Sequence, residues 1–86
     1  MPEYSLEIKR SAQKELDALD DAVFSRVDQK ILALGDDPRP AGCKKLKGWK
    51  DLWRIRIGDW RVVYIIDDHA KVVSVTRVAH RSEAYE

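Results

Sequence analysis

LWRIRIGDWRVVYIID, residues 52–67, alternates apolar and basic side chains up to a Gly58-Asp59 pair and resumes as a second strand directly after it. A two-residue connection with glycine in its first central position is a hairpin turn, and it sets the register of both strands. Ile57 then pairs with Trp60, Ile55 with Val62, and Trp53 with Tyr64. All six are apolar or aromatic, so this face is expected to pack against the core. The opposite face carries Arg54 opposite Val63 and Arg56 directly opposite Arg61. Like charges facing each other across strands cost about 0.2–1 kcal/mol. An anionic partner that offsets them is one reading. An ordinary solvent face, neutralised by Asp59 or Asp51, is the other.

Toward the C-terminus, a turn at Asp68, His69 and Ala70 leads into KVVSVTRVAH, a further β-branched strand over 71–80. With Ile66 opposite Lys71, Thr76 falls beside Arg61, and Val78 and His80 continue the arginine face. Arg81 follows at once, and Tyr85 stands on a short tail able to fold over it. The expected cluster is Arg54, Arg56, Arg61, His80 and Arg81.

Toward the N-terminus, Tyr4, Leu6 and Ile8 alternate with Ser5, Glu7 and Lys9, the pattern of a strand with one buried face. Ser11 is placed to cap a helix whose Ala12, Leu16 and Leu19 form one stripe. Asp20 and Asp21 interrupt it and can cap a second helix, in which Val23, Val27, Ile31 and Leu34 recur on one side. Gly35 stands at its expected C-cap, and DDPRP at 36–40 prevents continuation. Helices joined so closely form an antiparallel hairpin. Residues 41–51, AGCKKLKGWKD, have no clean period and read as a basic loop. The expected fold is α+β, in the order β-α-α-β-β-β, with a helical hairpin packed on one face of an antiparallel sheet.

Eighty-six residues leave room for one domain, 1–86, with no second core. A single cysteine, Cys43, forms no internal disulfide, and the start MPEYSLEIKR has no apolar segment. No membrane partner is expected, and a cytoplasmic location is. The formal charge is only +1, but it is unevenly placed: −3 over residues 1–40 and +4 over 41–86. From Arg39 to Arg61, eight basic residues, Lys44, Lys45, Lys47 and Lys50 among them, face only Asp51 and Asp59. Such density suits an anion, phosphate backbone being the commonest.

Cys43, His69 and His80 lack metal-ligand spacing, the glycines form no phosphate loop, and no pair of carboxylates shares a face of the basic half. No cofactor or metal is expected. What remains is a guanidinium-rich surface with one imidazole and one phenol. Guanidinium groups bind phosphate in a two-pronged fashion and stay charged at any working pH, and His80 supplies the imidazole. The set fits metal-free RNA cleavage, in which a 2′-hydroxyl attacks the adjacent phosphorus, and equally fits plain nucleic-acid binding.

LKGWKDLWRIRIGDWRVVYIID at 46–67, with VAHRSEAY at 78–85, resembles the RelE/ParE superfamily of toxins from type II toxin–antitoxin systems, and its RelE branch in particular. The order β-α-α-β-β-β is also that family's. The resemblance implies an enzyme, a ribosome-dependent endoribonuclease that cleaves mRNA in the A site without metal and inhibits translation. It also implies a cognate antitoxin, RelB-like or Phd-like, held in a toxin–antitoxin hetero-oligomer. By the resemblance, Arg61 stabilises the scissile phosphate, Arg81 is the arginine after the last strand, and Tyr85 stacks near the cleaved nucleotide. Arg54 and Arg56 hold RNA where relatives carry lysines, alongside Lys44, Lys45 and Lys47. Arginine does not readily give up a proton, so base and acid stay open among His80, Tyr85 and Lys47. Ending at Glu86, the chain is expected to lack the longer C-terminal helix of some relatives. The alternatives are a ParE-like inhibitor of DNA gyrase and a non-catalytic RNA-binding relative.

Overall fold

The computed structural model describes residues 3–82. In chain order the elements are β1 (Ser5–Ile8), α1 (Arg10–Asp17), α2 (Asp21–Ala33), β2 (Lys44–Lys45), β3 (Leu52–Ile57), β4 (Trp60–Asp67) and β5 (Val72–His80). The strands make one five-stranded sheet in the order β1-β5-β4-β3-β2. The α+β class and the sequence of long elements are as expected. The sheet, however, is mixed: β1 runs parallel to β5, pairing Ser5 with Val72 through Ile8 with Val75. Alternation in β1 reveals which face is buried but not which strand lies alongside. A further difference is β2, two residues of the basic loop that pair with Trp53 and Arg54 at the edge of β3.

The β3–β4 hairpin has the expected register, Arg56 opposite Arg61 and Trp53 opposite Tyr64 included. Gly58 has φ 60 and Asp59 an ordinary negative φ, the combination of a type II′ rather than a type I′ turn. Ile55, Ile57, Val62 and Tyr64 are buried beneath the helices with Ala12, Leu16, Val27, Ile31 and Leu34. Trp53 and Trp60 pack at the margin of this core. The Tyr64 hydroxyl donates to the Pro38 carbonyl at 2.7 Å, fixing the loop after α2. Burial pushes that phenol's pKa upward.

Two helix ends differ from expectation, and one agrees. Asp20 caps α2, its carboxylate accepting from the Val23 N–H at 3.0 Å. For α1 the N-cap is Lys9, without a side-chain cap, and the Ser11 hydroxyl donates instead to the Thr76 carbonyl at 3.4 Å. The C-cap of α2 is Leu34, while the Gly35 carbonyl accepts from the Tyr4 N–H at 2.9 Å.

The register of β5 corrects the sequence reading. The loop from β4 is longer than read, with Lys71 at φ 59 and Ile66 opposite Val73 rather than Lys71. A bulge follows: Tyr64 pairs with Val75 but Val63 with Arg77, so Thr76 is the extra residue. Its hydroxyl donates to the Val63 carbonyl at 3.2 Å. Beyond the bulge, Arg61 faces Ala79, Val62 faces Val78 and Trp60 faces His80. Val78 is therefore core, and His80 lies on the helix side of the sheet rather than on the arginine face. Because β1 pairs only as far as Val75, the far half of β5 is left to α1, whose Glu15 accepts the Val78 N–H at 2.8 Å.

Candidate nucleic-acid interface

The face turned away from the helices carries the charges. Arg54 pairs with Lys44 on one side and Val63 on the other, and Arg56 and Arg61 face each other two residues along. Alternation along β3 puts Arg54 and Arg56 on one side, and the turn holds Arg61 to the same side. The three differ in environment: Arg56 is exposed, Arg61 half-buried, and Arg54 only 4% exposed. The Arg54 burial departs from the expected open position. None of the three is isolated from other polar groups.

Arg81 joins them at the hairpin end. Its N–H donates to the Asp59 carbonyl at 2.7 Å, and its guanidinium lies 3.8 Å from the Asp59 carboxylate. That ion pair is exposed and weak, so its main effect is to leave Asp59 beside Arg81. Asp51 lies at the other end of β3, its carbonyl accepting from the Ile66 N–H. Arg56, Arg61 and Arg81 thus gather around the Gly58-Asp59 turn.

His80 stands at the rim of this group, around the end of the sheet. Its ring meets Trp60 edge-on at 5.3 Å between centroids. Its Nδ1 lies 3.0 Å from the Ser82 hydroxyl and 3.4 Å from the Ser82 N–H. Both contacts engage Nδ1, so Nε2 is the ring nitrogen that Ser82 does not hold. Tyr85 falls outside the described residues. Lys44 and Lys45 are exposed on β2, and Lys47 is exposed in the loop beyond it. About 13 Å of strand separates Leu52 from Arg56 at the usual rise, so Lys47 belongs to the far end of β3 from Arg61.

Arg77 was missed because only the bulge brings it into the row of Arg54 and Val63. It turns to Glu15 at 3.3 Å, which commits it to α1. Arg39, counted in the basic stretch, is also committed: it grips the Asp68 carboxylate at 2.8 and 3.2 Å and lies 4.9 Å over the Trp53 ring. The Tyr4 hydroxyl donates to the same carboxylate at 2.6 Å. Arg39 foremost, then Tyr4, hold Asp68 down to a pKa of about 2. The same hydrogen bond to Asp68 raises the Tyr4 pKa. A cleft of about 310 Å³ opens at the free edge of β3, lined by Lys30, Ala33, Pro40, Ala41, Gly42, Ile55 and Arg56. Among the described residues, no three of His, Cys, Asp and Glu are grouped to hold a metal ion.

The family described as the ParE toxin of the type II toxin–antitoxin system parDE matches residues 6–85. A protein of Methanocaldococcus jannaschii named "Putative toxin RelE1" is 27% identical, the match covering 96% of each chain. The RelE–RelB complex of Pyrococcus horikoshii superposes with a TM-score of 0.83 at 30% identity, covering 95% of this chain and 99% of that one. Isolated Escherichia coli RelE gives 0.79 at 29% identity, over 90% of this chain and 83% of that one. With a family match over nearly its whole length and the same fold in RelE structures, the chain belongs to the RelE/ParE superfamily of type II toxin–antitoxin toxins.

Proposed function

We propose that this toxin is a ribosome-dependent endoribonuclease that cleaves mRNA in the A site without a metal ion and so inhibits translation. The observation that carries the reading is the direct opposition of Arg56 and Arg61, with Arg81 at the same end of the sheet face turned away from the helices. In-line attack of a 2′-oxygen on the neighbouring phosphorus forms one P–O bond and breaks the bond to the 5′-oxygen, leaving a cyclic phosphate. Negative charge builds on the equatorial oxygens meanwhile. Fixed guanidinium groups, with two parallel donors each, stabilise that charge more than the ground state. A base must take the 2′-proton, and an acid must return one to the 5′-oxygen. The hairpin end offers His80 Nε2, at its rim, for one of these transfers. Lys47 is too far along β3 to serve.

Solved relatives from P. horikoshii and E. coli are complexes of RelE with RelB. A cognate antitoxin, RelB-like or Phd-like, is accordingly the proposed partner of this chain. Its acidic or strand-forming segment would offset the arginine pair and raise the thermal midpoint of the toxin on binding.

Purified protein added to ribosomes programmed with mRNA, in EDTA, tests the reading. Cleavage at the A-site codon is expected, with naked RNA cut slowly because nothing positions its 2′-hydroxyl. A second reading is kept by the family match itself, which bears the ParE name. Inhibition of gyrase supercoiling, with intact mRNA on ribosomes, would replace the nuclease reading with that one.

A further inference from the structure

The loop between β2 and β3 lies outside the arginine group and carries an exposed aromatic side chain in a lysine-rich stretch. Trp49 is 66% exposed, more than Leu32 at 58% or Ile65 at 38%. Lys44, Lys45, Lys47 and Lys50 surround it in sequence and are all exposed. Among the described residues, none of the four lysines has an ion pair. The loop is also shaped rather than slack. The Leu46 N–H donates to the Leu52 carbonyl at 2.9 Å, closing it, and the Ile66 N–H ties Asp51 to β4. Gly48 and Asp51 take φ values of 80 and 61, which turn the chain between those two anchors. An indole is thus held clear of the core in a stretch that carries four lysines and one carboxylate, Asp51.

Isolated exposed apolar side chains such as Leu32 are ordinary and imply nothing. Trp49 differs in its setting. Lys44 faces Arg54 across the β2–β3 pair, and Arg54 stands in line with Arg56 and the opposed Arg61. Exposed cations on that side of the sheet therefore run from Arg56 at the hairpin end, over the buried Arg54, to Lys44 beside the Trp49 loop. Groove cations that track phosphates, with an aromatic face for bases, are how proteins hold single strands. Lysines at this density suit a backbone with a charge at every residue, as RNA has, more than a peptide with scattered carboxylates.

We propose that Trp49 stacks on an unpaired RNA base while Lys44, Lys45, Lys47 and Lys50 hold the flanking phosphates, a second RNA contact separate from the arginine pair. The proposal rests on the RNA reading of the same protein, but it needs binding and not cleavage.

The test compares wild type, Trp49→Ala and Trp49→Phe for affinity to a labelled oligoadenylate of about 12 nucleotides and to a duplex of equal length. Trp49→Ala is expected to bind the single strand roughly 5- to 150-fold more weakly, the factor for one lost stacked base. Trp49→Phe recovers most of it. The salt dependence of binding stays the same, because the phosphate contacts are untouched. Duplex affinity does not move, since its bases are already stacked. Vacant and mRNA-programmed ribosomes then separate the source of the base. A loss on both assigns it to ribosomal RNA, a loss only with mRNA to the message, and either supports the proposal. Wild-type affinity of Trp49→Ala for the single strand overturns it, as does equal weakening on strand and duplex. A defect confined to antitoxin binding overturns it in favour of a protein-docking loop. If wild type cuts no mRNA on ribosomes while the Trp49 dependence holds, the nuclease reading fails and the contact stands. The reverse pattern removes the contact alone.

Discussion

Arg61 is defined by its neighbours: Arg56 across one side, Ala79 across the other, and a face without helices behind it. Truncating such a side chain opens no cavity in the core, and the like-charge contact it relieves offsets the polar interaction that Arg61 also gives up. Arg61→Ala is therefore expected to melt within about 0.5 kcal/mol of wild type. Its ribosome-dependent cleavage should fall ~100- to 1,000-fold, as when one charge-stabilising donor is removed. Arg61→Lys should restore little, because lysine keeps the charge without the fork that holds two oxygens together. Melting and cleavage measured on the same preparations check both halves. Wild-type cleavage by Arg61→Ala would place the chemistry elsewhere, and unfolding would mean that the residue supports the sheet. At this scale the sequence was legible wherever a residue was tied to the Gly58-Asp59 turn. It was not legible for Arg54, whose burial no alternation pattern distinguishes from the exposure of Arg56. His80 was misplaced for a different reason, which belongs to its strand.

Among the elements, β5 is the one whose pattern misleads. VVSVTRVAH is rich in branched residues from end to end, and one inserted residue shifts every later side chain to the other face. Thr76 is that residue, and its cost is absorbed locally: its hydroxyl bonds to Val63, its carbonyl to Ser11. The bulge falls just past the pairing of β1 with Val75, where β5 becomes an edge and α1 must supply what a neighbouring strand would. Glu15 does so, accepting the Val78 N–H and pairing with Arg77. Glu15→Ala is expected to cost about 1–2 kcal/mol by stranding that amide, and Glu15→Gln to recover part of it. Chemical denaturation of the two variants measures the difference, and an amide at Val78 that exchanges no faster in Glu15→Ala would rule the account out. By contrast β3 and β4 were legible throughout, because their connection permits one register only. The partner of β1 was beyond reach of its own four residues, since strand neighbours are chosen by the whole chain.

For the molecule as a whole, stability in acid hangs on the end of the sheet farthest from the arginines. There Asp68 joins three distant segments: Tyr4 before β1, Arg39 after α2, and the β4–β5 loop that carries it. Its folded pKa of about 2 lies below the unfolded carboxylate value, so the contribution is complete above about pH 4 and is lost as pH falls toward 2. Asp68→Asn should melt below wild type at neutral pH, with the gap closing through that window. Parallel melting curves for the two proteins from pH 7 to pH 2 would remove Asp68 from the explanation.

The parallel pairing of β1 with β5 also governs when the molecule can come into being. Translation delivers β1 and the helices early, yet β1 has no neighbour in the sheet until Val72–Val75 has been made. Contacts this remote in sequence form late and slowly. A nascent chain stalled after β4 holds the Arg56–Arg61 hairpin but not the strand that lies between it and the N-terminal segment. The arginine face is therefore assembled only after the ribosome has finished β5, so a growing chain does not carry the finished surface while it is still being made.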